Sequence, residues 1–192
     1  MVNIYVEPIP SLYACCDALI TAQDVASASR FQNERRRMEH LAWRRIVRRE
    51  LGRGVGISYN EVGAPQVDVE GRYIGVAHCK ERVLVAIADE RVGVDIEPMC
   101  RDFSRVEERI MSVEERGLSS DDRWAGVVWC AKEAMYKYYG RSAIDLQRDL
   151  RIVAVDGVAK CVYGVLPNGE RVEIKISLHE GKYIVATAVS MV

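Results

Sequence analysis

Val83-Leu84-Val85-Ala86-Ile87-Ala88, Asp89-Glu90-Arg91 and Val92-Gly93-Val94-Asp95-Ile96-Glu97 form the stretch from which the rest of this 192-residue chain is best read. Two apolar, β-branched runs flank a short polar break, and the pattern predicts an antiparallel hairpin. Upstream, residues 2–6 read as a strand and residues 30–51 as a helix, with Met38, Ala42 and Ile46 on its apolar face and Gly52 as its stop. Further strands are expected near 57–59, 66–69 and 73–77. Downstream of Pro98 an acidic, helix-prone stretch runs to about residue 117, and a second long helix covers 123–139. The tail predicts strands at 150–155, 159–165, 171–178 and 182–190, with turns at Pro167-Asn168-Gly169 and Glu180-Gly181. Each half is thus a long helix followed by strands. An α+β fold with two lobes, 1–97 and 98–192, follows.

Composition narrows the class. Hydrophobic residues at 49% and charged residues at 29% describe a chain able to form a core, not a disordered or collagen-like one. No apolar run approaches the roughly 18–20 residues of a membrane span. The N-terminus has no basic stretch followed by an apolar core, so a cytoplasmic protein is expected. The six cysteines form no C-x-x-C pair and no zinc pattern with the three histidines, and read as small buried apolar residues. A net charge of -1 argues against general nucleic-acid binding. Beneath that total, residues 30–53 carry nine Arg against three Glu, and residues 89–122 carry eleven acids against five Arg. Such segments serve either as solvated faces or as separate anion and cation sites.

Four constellations carry chemistry. Asp95 and Glu97 lie two apart on a strand and share one face, a pair of hard oxygen donors suited to Mg²⁺. The same D-x-E spacing also occurs at solvent-facing strand ends. On the later helix Trp129, Glu133 and Lys137 form one stripe, which supplies either a helix-stabilising pair or a carboxylate and an ammonium for a cation and a phosphate. On the early helix Arg37, Arg44 and Arg48 line one edge with Leu41, either as a solvated edge near Glu34 and Glu39 or as a phosphate grip. His78 stands between two strands a short loop from the carboxylates.

Taken in order, these are R-x-E-H-L-A-x-R (37–44), G-A-P (63–65), A-H-C (77–79), G-V-D-I-E (93–97) and W-C-A-K-E-A-x-x-K (129–137). The series resembles the 4′-phosphopantetheinyl transferases of the Sfp type, in particular the branch serving siderophore and related synthetases. The resemblance implies two similar α+β lobes in a pseudo-twofold arrangement with the active site between them. It also implies transfer of the 4′-phosphopantetheine arm of coenzyme A to a serine of an apo acyl, peptidyl or aryl carrier protein, in fatty-acid, polyketide or nonribosomal peptide biosynthesis. By the same resemblance Asp95, Glu97 and Glu133 would bind Mg²⁺, with Asp95, Glu133 and Lys137 at the chemistry. Lys132 and Lys137 would neutralise the pyrophosphate, Arg37, Arg44 and His78 would hold the nucleotide end, and Glu133 would accept the serine proton directly or through water. A monomer suffices, since both lobes belong to one chain.

The chain departs from the family pattern at Ala64, where Lys is usual, and at Ala77 and Cys79, where Ser is usual. These departures motivate an alternative: a relative that binds coenzyme A or a carrier protein without transfer. An unrelated Mg²⁺-dependent phosphodiesterase explains the acids but not the motif order. Carrier docking is expected at 99–125, where Met99, Phe103, Arg105, Met111 and Arg116 interleave basic and apolar groups.

Overall fold

Strand β5 (Arg82–Ala88) is apolar without alternation because both of its faces are covered. In this computed structural model, which describes residues 1–10 and 17–191, Val83, Val85 and Ile87 meet one hydrophobic cluster. Leu84, Ala86 and Ala88 meet another. The first cluster is supplied by helix α2 (Glu34–Leu51) through Ala42, Trp43, Ile46 and Val47. The helix starts later than residue 30 because Asn33 caps it, accepting from the Arg36 amide at 3.3 Å. A short helix α1 (Ala22–Ala28), held by a Thr21/Asp24 capping box, precedes it.

Antiparallel partners occupy both edges of β5: β1 (Val2–Pro8) on one side and β4 (Tyr73–His78) on the other. The expected hairpin between 83–88 and 92–97 therefore does not form. With no free edge beside it, the chain crosses through Asp89-Glu90-Arg91 into a different sheet. There β6 (Gly93–Pro98) pairs antiparallel with the C-terminal strand β10 (Tyr183–Ser190), placing Asp95 opposite Ala186 and Glu97 opposite Ile184. The small β2 (Ile57–Tyr59) and β3 (Pro65–Val67) pair with each other.

After β6 the expected acidic helix is split into α3 (Ser104–Ile110) and α4 (Val113–Arg116). Met111 is extended and Ser112 starts a new capping box with Glu115. Helix α5 (Trp124–Tyr139) follows, ending at Gly140 in the left-handed conformation. Strands β7 (Arg151–Asp156), β8 (Cys161–Val165) and β9 (Arg171–His179) complete a five-stranded sheet in the order β6-β10-β9-β8-β7.

The α+β class holds, and the topology repeats. Each half opens with a strand, passes through its long helix, and returns in a strand beside the first: β5 beside β1, β10 beside β6. The strand before the return, β4 or β9, takes the other edge. Because β6 belongs to the second sheet, the change of sheet falls ahead of Gly93 and not at 97–98. The sheets share an apolar layer of Leu84, Ala86, Val94, Ile96, Tyr183 and Val185, while α5 packs on the cluster containing Val172, Ile174 and Ala186. Among the cysteines with described positions, Cys79, Cys130 and Cys161 are buried as expected, whereas Cys100 is exposed. Cys15 and Cys16 lie outside the described residues.

Gly93 sets how closely α5 approaches β6. A Cβ there would collide with the Ala134 carbonyl and the Tyr138 backbone, neither of which can rotate away. Gly93→Ala is expected to lower unfolding free energy by about 3 kcal/mol or more through overpacking. Gly157→Ala, where a Cβ meets nothing within 4 Å, is expected to leave it nearly unchanged. Urea denaturation of both variants checks this, and equal midpoints would refute the close approach.

Candidate active site

The strand period puts Ile96 into the layer between the sheets and leaves Asp95 and Glu97 together on the side that faces α5. The helix period presents Trp129, Glu133 and Lys137 to them. Lys137 Nζ donates to Asp95 Oδ1 at 2.7 Å, and Trp129 Nε1 donates to Glu97 Oε1 at 3.0 Å. Arg101, in the loop after β6, also donates to Glu97 Oε1. Its guanidinium carbon stands 4.6 Å from the Trp129 ring centre and 5.0 Å from that of Phe103.

The electrostatics are those of crowded, desolvated carboxylates. Burial pushes the Glu133 carboxyl above its ordinary range; the Asp95 charge adds to this, while Lys137 and Arg101 oppose it. Burial also raises Glu97, reinforced by Asp95 and opposed by Arg101 and Trp129. Asp95 is 6% exposed, and its Oδ2 is buried with no hydrogen-bond partner. A buried carboxylate oxygen left unpaired is costly, and such oxygens occur where a ligand completes the site. Among the described residues no group of three His, Cys, Asp or Glu side chains stands arranged to hold a metal ion. Lys137 and Arg101 already engage two of the three carboxylates.

The nucleotide-end residues expected from the sequence separate. His78 lies at the end of β4, its Nε2 3.0 Å from Arg36 and 3.5 Å from Glu39. Asn33, Arg35, Arg36, Glu39 and His78 line a recess of about 210 Å³. Arg37 instead turns back to the Phe31 and Gln32 carbonyls at 3.0 and 3.3 Å. Arg44 is 3% exposed, so its expected nucleotide role is corrected. It lies 3.4 Å from Asp24, donates to the Tyr59 hydroxyl at 3.0 Å and stacks on Trp43. Arg48 grips the same Asp24 at 2.6 and 3.0 Å. Helix α1 covers the Arg44/Arg48 edge, so these two arginines lock two helices together. The sequence reading missed Arg35 and Arg36, although they precede the R-x-E-H motif and lie in the same basic run.

Lys132 is corrected in the same way. It is fully buried, and its Nζ donates to Glu115 Oε2 at 2.8 Å. Glu115 also accepts from the Ser112 and Ile152 amides, each at 2.8 Å, so the pair ties α4, α5 and β7 together. One residue along a helix is a turn of about 100°, which carries Lys132 away from the face that holds Glu133. In the expected docking stretch, Phe103 and Met111 are 8% and 2% exposed and belong to the interior, while Met99 packs partly against the core. Arg105 and Arg116 are exposed.

A cavity of about 250 Å³ joins Gly63-Ala64-Pro65 and β4 to the end of α5, where Tyr136, Lys137, Gly140 and Arg141 line it. Ala64 thus belongs to the same recess as Lys137, and Arg141 is a second cation there that the motifs did not reveal. Ala77 and Cys79 are buried in the layer between the sheets. Burial pushes the Cys79 thiol up, away from thiolate chemistry.

The raised Glu133 and Glu97 carboxyls have a measurable sign. The folded state holds their protons more tightly than the unfolded state, so stability falls as pH rises through the window above their ordinary value of 4.5. Glu133→Gln is therefore expected to be more stable than the unaltered chain at pH 7, with the advantage shrinking as pH falls toward 4.5 and lost below it. Thermal unfolding across pH checks this, and a less stable variant at pH 7 would refute the crowding.

A family model for the 4′-phosphopantetheinyl transferase superfamily matches residues 91–188. No curated protein matches the chain. The matched segment runs from just before β6 to near the end of β10, covers slightly more than half of the sequence, and contains Asp95, Glu97, Glu133 and Lys137. The chain belongs to the 4′-phosphopantetheinyl transferase superfamily.

Proposed function

We propose that the protein transfers the 4′-phosphopantetheine arm of coenzyme A to a serine of an apo acyl, peptidyl or aryl carrier protein, with Mg²⁺ as its metal. The observation that carries the reading is the unpartnered, buried Asp95 Oδ2 beside Glu97, Glu133 and Lys137. Three hard-oxygen side chains in a desolvated site suit a small divalent cation that also binds phosphate oxygens. Asp95, Glu97 and Glu133 would hold that ion, which when bound neutralises pyrophosphate charge.

The chain's own groups supply the rest. The serine oxygen forms a bond to the phosphorus next to the pantetheine arm, and the bridging P–O bond breaks. Adenosine 3′,5′-bisphosphate leaves with that electron pair. Lys137 neutralises charge on the departing phosphate. Glu133, its proton affinity raised by burial, takes the serine proton directly or through water. His78 binds the nucleotide end together with Arg35 and Arg36, which replace Arg37 and Arg44 in that role. The cavity at Gly63–Pro65 receives part of coenzyme A, with Arg141 offering a positive group where Ala64 does not. The two halves act as lobes of one cleft, and a single chain is the working unit.

Incubation with coenzyme A, Mg²⁺ and apo carrier proteins, followed by mass spectrometry of the carrier, tests the reading. The expected gain is one phosphopantetheine arm. Asp95→Ala is expected to reduce transfer by about a hundredfold or more with the fold retained. Arg36→Ala is expected to raise KM for coenzyme A more than it lowers kcat, whereas Arg44→Ala is expected to lose stability instead. Coenzyme A binding without transfer to any carrier would favour the non-transferring relative suggested by Ala64, Ala77 and Cys79. Metal-dependent release of nucleotide in the absence of a carrier would favour a phosphodiesterase.

A further inference from the structure

The end of α5 brings two cations to one cavity and gives only one of them an acid. Lys137, in the last turn of the helix, is bonded to Asp95 at 2.7 Å. Gly140, left-handed at φ 65°, ends the helix and turns the chain, and Arg141 follows it. Lys137 and Arg141 both line the cavity at Gly63-Ala64-Pro65. Arg141 is exposed, its guanidinium carbon 5.4 Å from the Tyr139 ring centre, and among the described residues it forms no ion pair. None of the described residues that line the cavity is acidic, and Pro65, Ile74, Val76 and Val92 give it apolar walls.

The other cations near the site are committed. Arg35 and Arg36 share Glu39, and Arg101 is bonded to Glu97. In the neighbouring groove, which also reaches Lys137 and Gly140, Arg72 and Arg91 are paired with Asp89 and Glu170. Lys132, expected beside Lys137 at the pyrophosphate, is buried against Glu115. A cleft that presents cations without acids, between apolar walls, concentrates anions. An anion that enters it to reach Lys137 also meets Arg141, whose planar guanidinium can give two parallel N–H bonds to a phosphate.

We propose that Arg141 binds the phosphate of coenzyme A that departs with adenosine, sharing it with Lys137 in the role expected of Lys132. The assignment rests on the transfer reading above. The pyrophosphate carries a negative charge on each phosphorus, while Lys137 divides its own charge between Asp95 and the substrate. Arg141 supplies the charge that Lys137 cannot. Its contact is to the 5′-phosphate of the nucleotide, so it persists after the bridging bond breaks and sets how tightly adenosine 3′,5′-bisphosphate is held. The recess of Arg35, Arg36 and His78 is separate from this contact.

The test measures binding of adenosine 3′,5′-bisphosphate, and of adenosine 3′-phosphate, which lacks the 5′-phosphate, by isothermal titration calorimetry in Mg²⁺ buffer. The proteins are the full chain, Arg141→Gln and Arg141→Lys. Arg141→Gln is expected to weaken the bisphosphate about tenfold, the worth of one hydrogen bond to a charged group, and to leave adenosine 3′-phosphate within about twofold. Arg141→Lys, which keeps the charge but not the paired N–H groups, is expected to fall between. Equal bisphosphate binding by the full chain and Arg141→Gln overturns the role of Arg141. An equal loss for both nucleotides also overturns it, since the 5′-phosphate is then not what Arg141 meets. Transfer of the arm by the unaltered chain, read from the mass of the carrier, leaves the proposed function standing in both of those cases. Failure of coenzyme A and both nucleotides to bind any of the three proteins overturns that function and the role of Arg141 together.

Discussion

The Lys137 ammonium, 2.7 Å from an Asp95 carboxylate that is 6% exposed, is the interaction on which the site depends. It joins the last turn of α5 to the middle of β6, and Gly93 lets helix and strand approach closely enough for it to form. A buried carboxylate in such surroundings needs a cation. Lys137 satisfies only one of its two oxygens, leaving Oδ2 buried and unpaired. The geometry holds charge ready at the expense of local stability, as functional sites commonly do.

The reading of the sequence succeeded where periodicity alone decides the outcome. Asp95 and Glu97 had to share a face of their strand, and Trp129, Glu133 and Lys137 had to share a face of their helix, wherever those elements went. The helix and strand segments were legible for the same reason, because hydrophobic period and turn residues are local signals. Which edge of β5 was free was not a local signal. The pairing of residues 82–88 with residues 2–8 on one edge and 73–78 on the other excludes the hairpin that the mid-chain stretch suggests.

The misplaced cations have one cause. Arg44 and Lys132 look like surface charges in a helical projection, yet each is buried against an acid from a distant element, Asp24 or Glu115. Both acids carry a capping-box signature, Thr21-x-x-Asp24 and Ser112-x-x-Glu115, which marks a helix start but does not reveal the second, long-range partner. The basic run on α2 divides by burial. Arg44 and Arg48 face inward to hold α1, and Arg35 and Arg36 face the recess at His78. Phe103 and Met111 follow the same logic, since apolar residues beside a functional face can equally belong to the core beneath it.

The most direct check on the central claim is a crystal structure of the protein with Mn²⁺ and coenzyme A, using the anomalous signal of manganese to locate the ion. The account predicts a peak at Asp95 Oδ2, shared with the carboxylates of Glu97 and Glu133. A manganese peak bound elsewhere on the chain, with none at Asp95 Oδ2, would contradict it.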